Sequence, residues 1–200
     1  MSKQEEIQKL EVEIGELITK LNGLRKENPS QEVANYMFST TTGEISLHDL
    51  FGQHDTLMVI HNMGQGCRYC TLWGDGINGF LPHLENTMAV AMVSKDDPVL
   101  QRQFANARGW RFTTASHGGK GYIEEQTVSE GSKNMPGVVV YTRKGNTIYR
   151  KNASVFGPGD LYCSLWHLIS LAGMGVEEFT PQFHYWKRPE AMEDGGKNVL

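Results

Sequence analysis

Two of the chain's three cysteines, Cys67 and Cys70, lie three positions apart in the stretch NMGQGCRYCTLW. A Cys-x-x-Cys pair can be a redox dithiol, half of a metal site, or coincidence, and its surroundings have to decide. An apolar run, TLMVIHNM, leads into the pair, and a helix is expected from Cys70 to about Leu84. A buried strand running into a helix places Cys67 at the helix N-terminus. There, unpaired backbone N–H groups and the helix dipole favour an anion. Such positions lower a thiol's pKa, and the thiolate is the attacking form. Arg68 adds a positive charge beside it, and Tyr69 is placed to shield the pair or touch a substrate. Cys70, one turn on, can close a disulfide once Cys67 carries a mixed disulfide. The residues thus read as a nucleophile, Cys67, and a resolving thiol, Cys70.

Metal chemistry needs more ligands. His54, His61, His83 and His117 are scattered, none at a Cys₂His₂ spacing from the pair. No metal and no organic cofactor is expected. His61 either tunes the Cys67 thiolate or is satisfied by backbone at a strand end. Cys163, in the apolar run DLYCSLWHLI, reads as a small core hydrophobe, and His167 as a core histidine.

The elements that hold the pair follow from periodicity. Residues 4–26 form a helix in which Ile7, Leu10, Ile14, Leu17, Leu21 and Leu24 recur in steps of three and four. That is a coiled-coil seam, and it serves equally for packing on the domain or on a second subunit. Pro29 stops the helix. Tyr36–Ser39 and Glu44–Leu47 are short strands around a turn, and Ser46 with Asp49 caps a helical turn ending at Gly52. After the cysteines the expected helix is kinked or broken by Gly74, Gly76 and Gly79. MAVAMVS is a buried strand, and a helix follows over Pro98–Arg108. This βαβα alternation implies parallel pairing with flanking helices. Residues 113–134 lack any period and read as a long exposed loop; SHGGKG within them lacks phosphate-loop spacing. Val138–Tyr141 and Thr147–Arg150 form a hairpin about a Lys-Gly-Asn turn. A last helix is expected over Asp160–Ala172, with Leu161, Leu165, Leu168 and Ile169 on one face. An aromatic FHYWKR stretch then packs on the domain, before a polar tail.

Bulk properties exclude several classes. The 200 residues suit one domain with an appendage: a helix over 1–28, a domain over 29–186 and a tail over 187–200. The net charge of −4 arises from interspersed residues, with no basic element for nucleic acid. No apolar run approaches the roughly 18 residues of a membrane span, and the charged N-terminus has no signal core. A cytoplasmic protein is expected, and in that compartment a close cysteine pair is catalytic or metal-binding rather than structural.

The order strand, Cys-x-x-Cys, helix, strand, helix, then Pro–strand–turn–strand–helix resembles the thioredoxin superfamily. With the lead-in STTTGEISLHDLFG it is nearer the peroxiredoxin-like branch. More closely, ISLHDLFG, GCRYCTLW, PHLEN, AMVSKDD, RGWRF and LWHLISL resemble the bacterial domain-of-unknown-function 899 family, over nearly the whole chain. The resemblance implies a thioredoxin-like α/β fold: a central mixed sheet flanked by helices, plus an N-terminal helical extension. It also implies a substrate-binding role for Pro136 and Met135. In such folds a cis proline at this point faces the dithiol and frees the preceding backbone to pair with a substrate. The chain departs from the peroxiredoxin pattern PxxxTxxC, with Ile60 and Gly64 at the Pro and Thr positions. It departs from thioredoxin too: Gly66 replaces the Trp of Trp-Cys-Gly-Pro-Cys, and Arg68-Tyr69 replaces Gly-Pro.

The expectation is a thiol–disulfide oxidoreductase acting on a protein or small-molecule thiol or disulfide through Cys67 and Cys70, with Arg68, Tyr69, Met135 and Pro136 contacting the substrate. Neither nucleic acid nor a membrane is an expected partner; a homodimer through the N-terminal helix is. The alternatives are a non-catalytic thioredoxin-fold binding and dimerisation module, or a peroxide reductase using Cys67.

Overall fold

The strand that delivers the cysteines, β4 (Thr56–His61), lies inside the sheet and is buried along most of its length. The structure is a computed structural model that describes residues 2–185. Chain order gives α1 (Lys3–Glu27), β1 (Gln31–Val33), β2 (Met37–Thr40), β3 (Gly43–Ser46), β4, α2 (Arg68–Glu85), β5 (Ala89–Ser94) and α3 (Pro98–Ala107). Then follow β6 (Thr113–Ser116), α4 (Tyr122–Glu125), β7 (Gly137–Lys144), β8 (Thr147–Val155) and α5 (Ser164–Leu171). One eight-stranded sheet has the order β1-β8-β7-β4-β5-β6-β2-β3. β4, β5 and β6 run parallel, while β7 is antiparallel to β4, with His61 opposite Gly137. This is the mixed sheet with flanking helices that the thioredoxin-like order implies.

Alternation along the strands builds two cores. On one face Leu57, Val59, Ala91, Val93 and Val139 pack with Phe38, Phe51 and Tyr122. On the other, Ile60, Val90, Met92 and Val138 pack under α2 and α5 through Trp73, Ile77, Leu81 and Trp166. Side chains at consecutive strand positions point to opposite faces, so both faces of β4 and β5 are covered and their sequences read as unbroken apolar runs.

Several expectations are corrected. α2 is one continuous helix despite its glycines and Pro82. Gly74 has a packing reason: a Cβ there would lie 2.5 Å from Cζ2 of Trp110. Trp110 is pinned in place by its Nε1–H, which donates to Asp75 Oδ1 at 2.8 Å. Gly76 and Gly79 face open space, and nothing in the structure explains them. Residues 113–134 are not one loop, because 113–116 pair with β5 as β6 and α4 buries Tyr122 and Ile123. α5 starts four residues late: the Asp160 carboxylate accepts from the N–H groups of Gly157, Tyr162 and Cys163 and holds that segment as a turn. Leu161 and Leu168 are exposed, and so is His167, whose ring bonds the Asp160 carbonyl. Trp186, Lys187 and Arg188 of the FHYWKR stretch, and the tail over 187–200, lie outside the described residues.

α1 does not dock on the domain. It contains no buried residue, and among the described residues its hydrogen bonds to the domain come from its last turns. There Arg25 bonds the Tyr162 hydroxyl, Asn152 Nδ2 donates to the Arg25 carbonyl, and Lys151 Nζ donates to the carbonyl of Lys26. Its N-terminus is closed by a capping box between Ser2 and Glu5. Among the described residues no helix is long and apolar enough to cross a membrane.

Candidate functional site

Cys67 is the N-cap of α2, with extended backbone (φ −94°, ψ 104°), and its Sγ accepts from the Cys70 N–H at 3.1 Å. Capping places the sulfur where the first turn's orphan N–H groups converge. The approach loop is held from two sides. Cys67 N–H donates to the Gly64 carbonyl at 3.0 Å, and Gln65 N–H donates to Asp96 Oδ2 at 2.7 Å. Gly64 has a left-handed φ of 116°, and a Cβ would meet Asp96 Oδ1 at 2.7 Å, so this turn needs glycine.

The two sulfurs differ sharply. Cys67 is half-buried on an open cavity of about 520 Å³, whereas Cys70 is only 4% exposed. The Cys67 pKa is lowered to about 6, chiefly by the hydrogen bond from the Cys70 thiol, with the N–H groups of Cys70 and Tyr69 adding to it and burial opposing. Cys70 is driven the other way by its bond to Cys67 and by burial, while Met63 N–H, 3.5 Å from its sulfur, opposes the rise. One thiol is therefore a thiolate near neutrality beside a protonated neighbour. That is the arrangement for attack followed by resolution.

The flanking residues divide. Arg68 is exposed and directs Nη1 to Gln182 Oε1 at 3.4 Å; hydrogen bonds, not this guanidinium, account for the lowered Cys67 pKa. Tyr69 lies against Trp73 and Trp166, both at 6.3 Å between ring centres, and lines the cavity. Pro136 is buried beside the start of β7, and its carbonyl accepts from Phe156 N–H. Its peptide bond is trans, as are all those among the described residues. Met135 is half-buried, but the residue lining the cavity from this segment is Asn134, with φ 59°.

Sequence reasoning missed Lys95, Asp96 and Asn134, which line the cavity with Met63, Gly64 and Gly66. A signal existed. Lys95 and Asp96 follow β5, the parallel neighbour of β4, and sites in such sheets gather at the carboxyl ends of the strands.

His61 points to the face away from α2. It is not satisfied by backbone: its Nε2 bonds the Tyr122 hydroxyl at 2.7 Å, and Nδ1 has no partner. The network runs on from Tyr122 to Tyr141, Gln126, Tyr36 and Glu125. Burial pushes the His61 pKa down to about 3, so the ring is neutral. Cys163 is buried, and burial raises its pKa, as for a core thiol. Among the described residues no three His, Cys, Asp or Glu side chains come together as a metal site.

The sheet order and its flanking helices give the chain a thioredoxin-like fold, the fold of peroxiredoxins. A mutant of peroxiredoxin Q from Xanthomonas campestris superposes with a TM-score of 0.52 at 15% identity, covering 70% of this chain and 92% of that one. Reduced Prx3 from Vibrio vulnificus gives 0.54 at 13%, covering 72% and 97%. At these identities the likeness is one of fold. No curated protein matches. The chain belongs to the family described as "Bacterial protein of unknown function (DUF899)", whose pattern matches residues 2–192.

Proposed function

We propose that the protein is a thiol–disulfide oxidoreductase working through Cys67 and Cys70. The observation that carries this reading is the asymmetry of the pair: a half-exposed sulfur that caps α2 and accepts from the Cys70 backbone N–H, with its pKa lowered to about 6, beside a second cysteine that is buried. The Cys67 thiolate attacks one sulfur of a substrate disulfide, forming a mixed disulfide and expelling the other sulfur as a thiolate. Cys70 then loses its proton to that product and attacks Cys67 Sγ, releasing the second substrate thiolate. The substrate gains two electrons, and Cys67–Cys70 becomes a disulfide that an external dithiol reduces again. The hydrogen bond that the Cys70 thiol donates to Cys67 is what chiefly keeps Cys70 protonated. Formation of the mixed disulfide removes the charge on Cys67, so Cys70 becomes ionisable when it is needed.

Arg68 and Tyr69 flank the attacking sulfur, and Met135 and Pro136 adjoin Asn134 at the cavity wall. These four residues are proposed to receive the substrate, a protein or small-molecule disulfide. The test is the pH dependence of alkylation of the reduced protein, with the label located by mass spectrometry. Cys67 labelling that is already on its plateau near neutral pH is expected, and Cys67→Ser should abolish exchange. If both cysteines react only at the pH of an ordinary thiol, the oxidoreductase reading fails.

A further inference from the structure

α1 extends from the domain with its apolar seam facing solvent: Ile7 is 49% exposed, Ile14 52%, Leu17 65% and Leu24 57%. Within α1 only Leu21 and Arg25 are half-buried, Arg25 against Tyr162. A seam of three heptads presented on a free helix is complementary to a second copy of itself. Its charges fix the direction.

We infer that two copies of this chain pair through α1 in an antiparallel coiled coil centred between Ile14 and Leu17. With Ile7, Ile14 and Leu21 at one core position and Leu10, Leu17 and Leu24 at the other, this register sets Ile7 against Leu24 of the second copy. It likewise sets Leu10 against Leu21 and Ile14 against Leu17, so every seam residue finds an apolar partner. Residues 2–16 carry five acids and two bases, and residues 17–27 carry three bases and one acid. Antiparallel pairing lays the acidic half on the basic half. On one flank Glu13 meets Lys20 of the second copy and Glu6 meets Glu27, each twice by symmetry, so attraction offsets repulsion there; on the other flank Gln4 meets Arg25 and Glu11 meets Ile18, and no like charges face each other. A parallel pair would instead set Glu6 against Glu11 and Lys20 against Arg25, like charge on like. Antiparallel pairing also keeps the two domains at opposite ends of a rod about 37 Å long.

Sedimentation of the full chain across a concentration series tests this. The wild type is expected to shift from monomer to dimer mass, and Leu17→Glu to remain monomeric. Lys20→Glu sets like charges together twice and should raise the dimer dissociation constant roughly tenfold. The double variant Glu13→Lys/Lys20→Glu should restore it. All these positions are exposed, so unchanged Cys67 alkylation and unchanged amide protection over Thr56–His61 serve as controls for the fold of the domain. A wild type that stays monomeric at every concentration overturns the pairing. A Lys20→Glu variant that dimerises more tightly overturns the antiparallel direction, because it relieves the Lys20–Arg25 repulsion of the parallel form.

Discussion

The reactivity of Cys67 depends on which groups donate to its sulfur. The Cys70 thiol contributes most, ahead of the backbone N–H groups of Cys70 and Tyr69. Cys70→Ala removes that donor and leaves the backbone, so the Cys67 pKa should rise from about 6 towards that of an ordinary thiol. The midpoint of the alkylation rate against pH reads this directly, and an unshifted midpoint would assign the whole effect to the helix end. Stability carries the same information with a definite sign. A thiol whose pKa is lowered on folding contributes stability that is fully present above its unfolded pKa, roughly 8.5, and is lost as pH falls through the folded value. Reduced wild type should therefore gain stability relative to Cys67→Ser as pH rises from about 6 towards that unfolded value. Urea midpoints at several pH values measure the difference, and a flat difference would mean that the thiolate is not favoured by the fold. Cys70, shifted upward, works against stability only above the unfolded thiol pKa, so the lower window belongs to Cys67. Both cysteines were legible in the sequence because thiol chemistry demands that residue type at that spacing. Lys95, Asp96 and Asn134 were not, because separate segments contribute them and only the sheet order brings them to one cavity.

At the scale of elements, α2 carries the site, and its glycines separate into two kinds. Gly74→Ala drives a Cβ into the indole of Trp110, which Asp75 holds from the same helix, and should cost about 1–3 kcal/mol as overpacking does. Gly76→Ala meets open space in a helix interior and should stabilise by about 0.5–1 kcal/mol. Urea unfolding of the two variants checks both signs, and equal effects would mean that Trp110 yields freely. Helix propensity read along the sequence sees only the second kind, which is why it predicts a break where tertiary contact keeps α2 whole. The same limit hid β6 and α4. Thr113–Ser116 has a strand's residue types but is too short to show a period, and it is recognisable only by its pairing with β5. Tyr122 looks like a loop aromatic until its hydroxyl is seen to satisfy His61. By contrast β4, β5, the β7–β8 hairpin and α1 were legible, because apolar runs, a Lys-Gly-Asn turn and a sustained seam are local signals.

On the scale of the whole molecule, the chain divides into a domain with two cores and a helix that shares neither. Isolated helices are marginal in water, and most helical stability in proteins comes from packing an apolar face. α1 has caps at both ends and the Arg25–Tyr162 tie, but its seam is not buried by the described residues. In the inferred pairing the order of α1 is coupled to association, whereas that of β4 is coupled to the domain cores. Anything that binds the ordered form stabilises it by mass action. Amide hydrogen exchange should then respond in two different ways. Protection over residues 5–24 should rise as protein concentration rises, while protection over Thr56–His61 should not change. Leu17→Glu should abolish the concentration dependence in α1 and leave β4 as it was. If α1 is strongly protected at the lowest concentration measurable, its stability arises within one chain, and the exposed seam has some other use. If β4 also gains protection on association, the two parts are energetically one unit, and the thiol site would then sense the oligomeric state through the anchor of α1 at Tyr162.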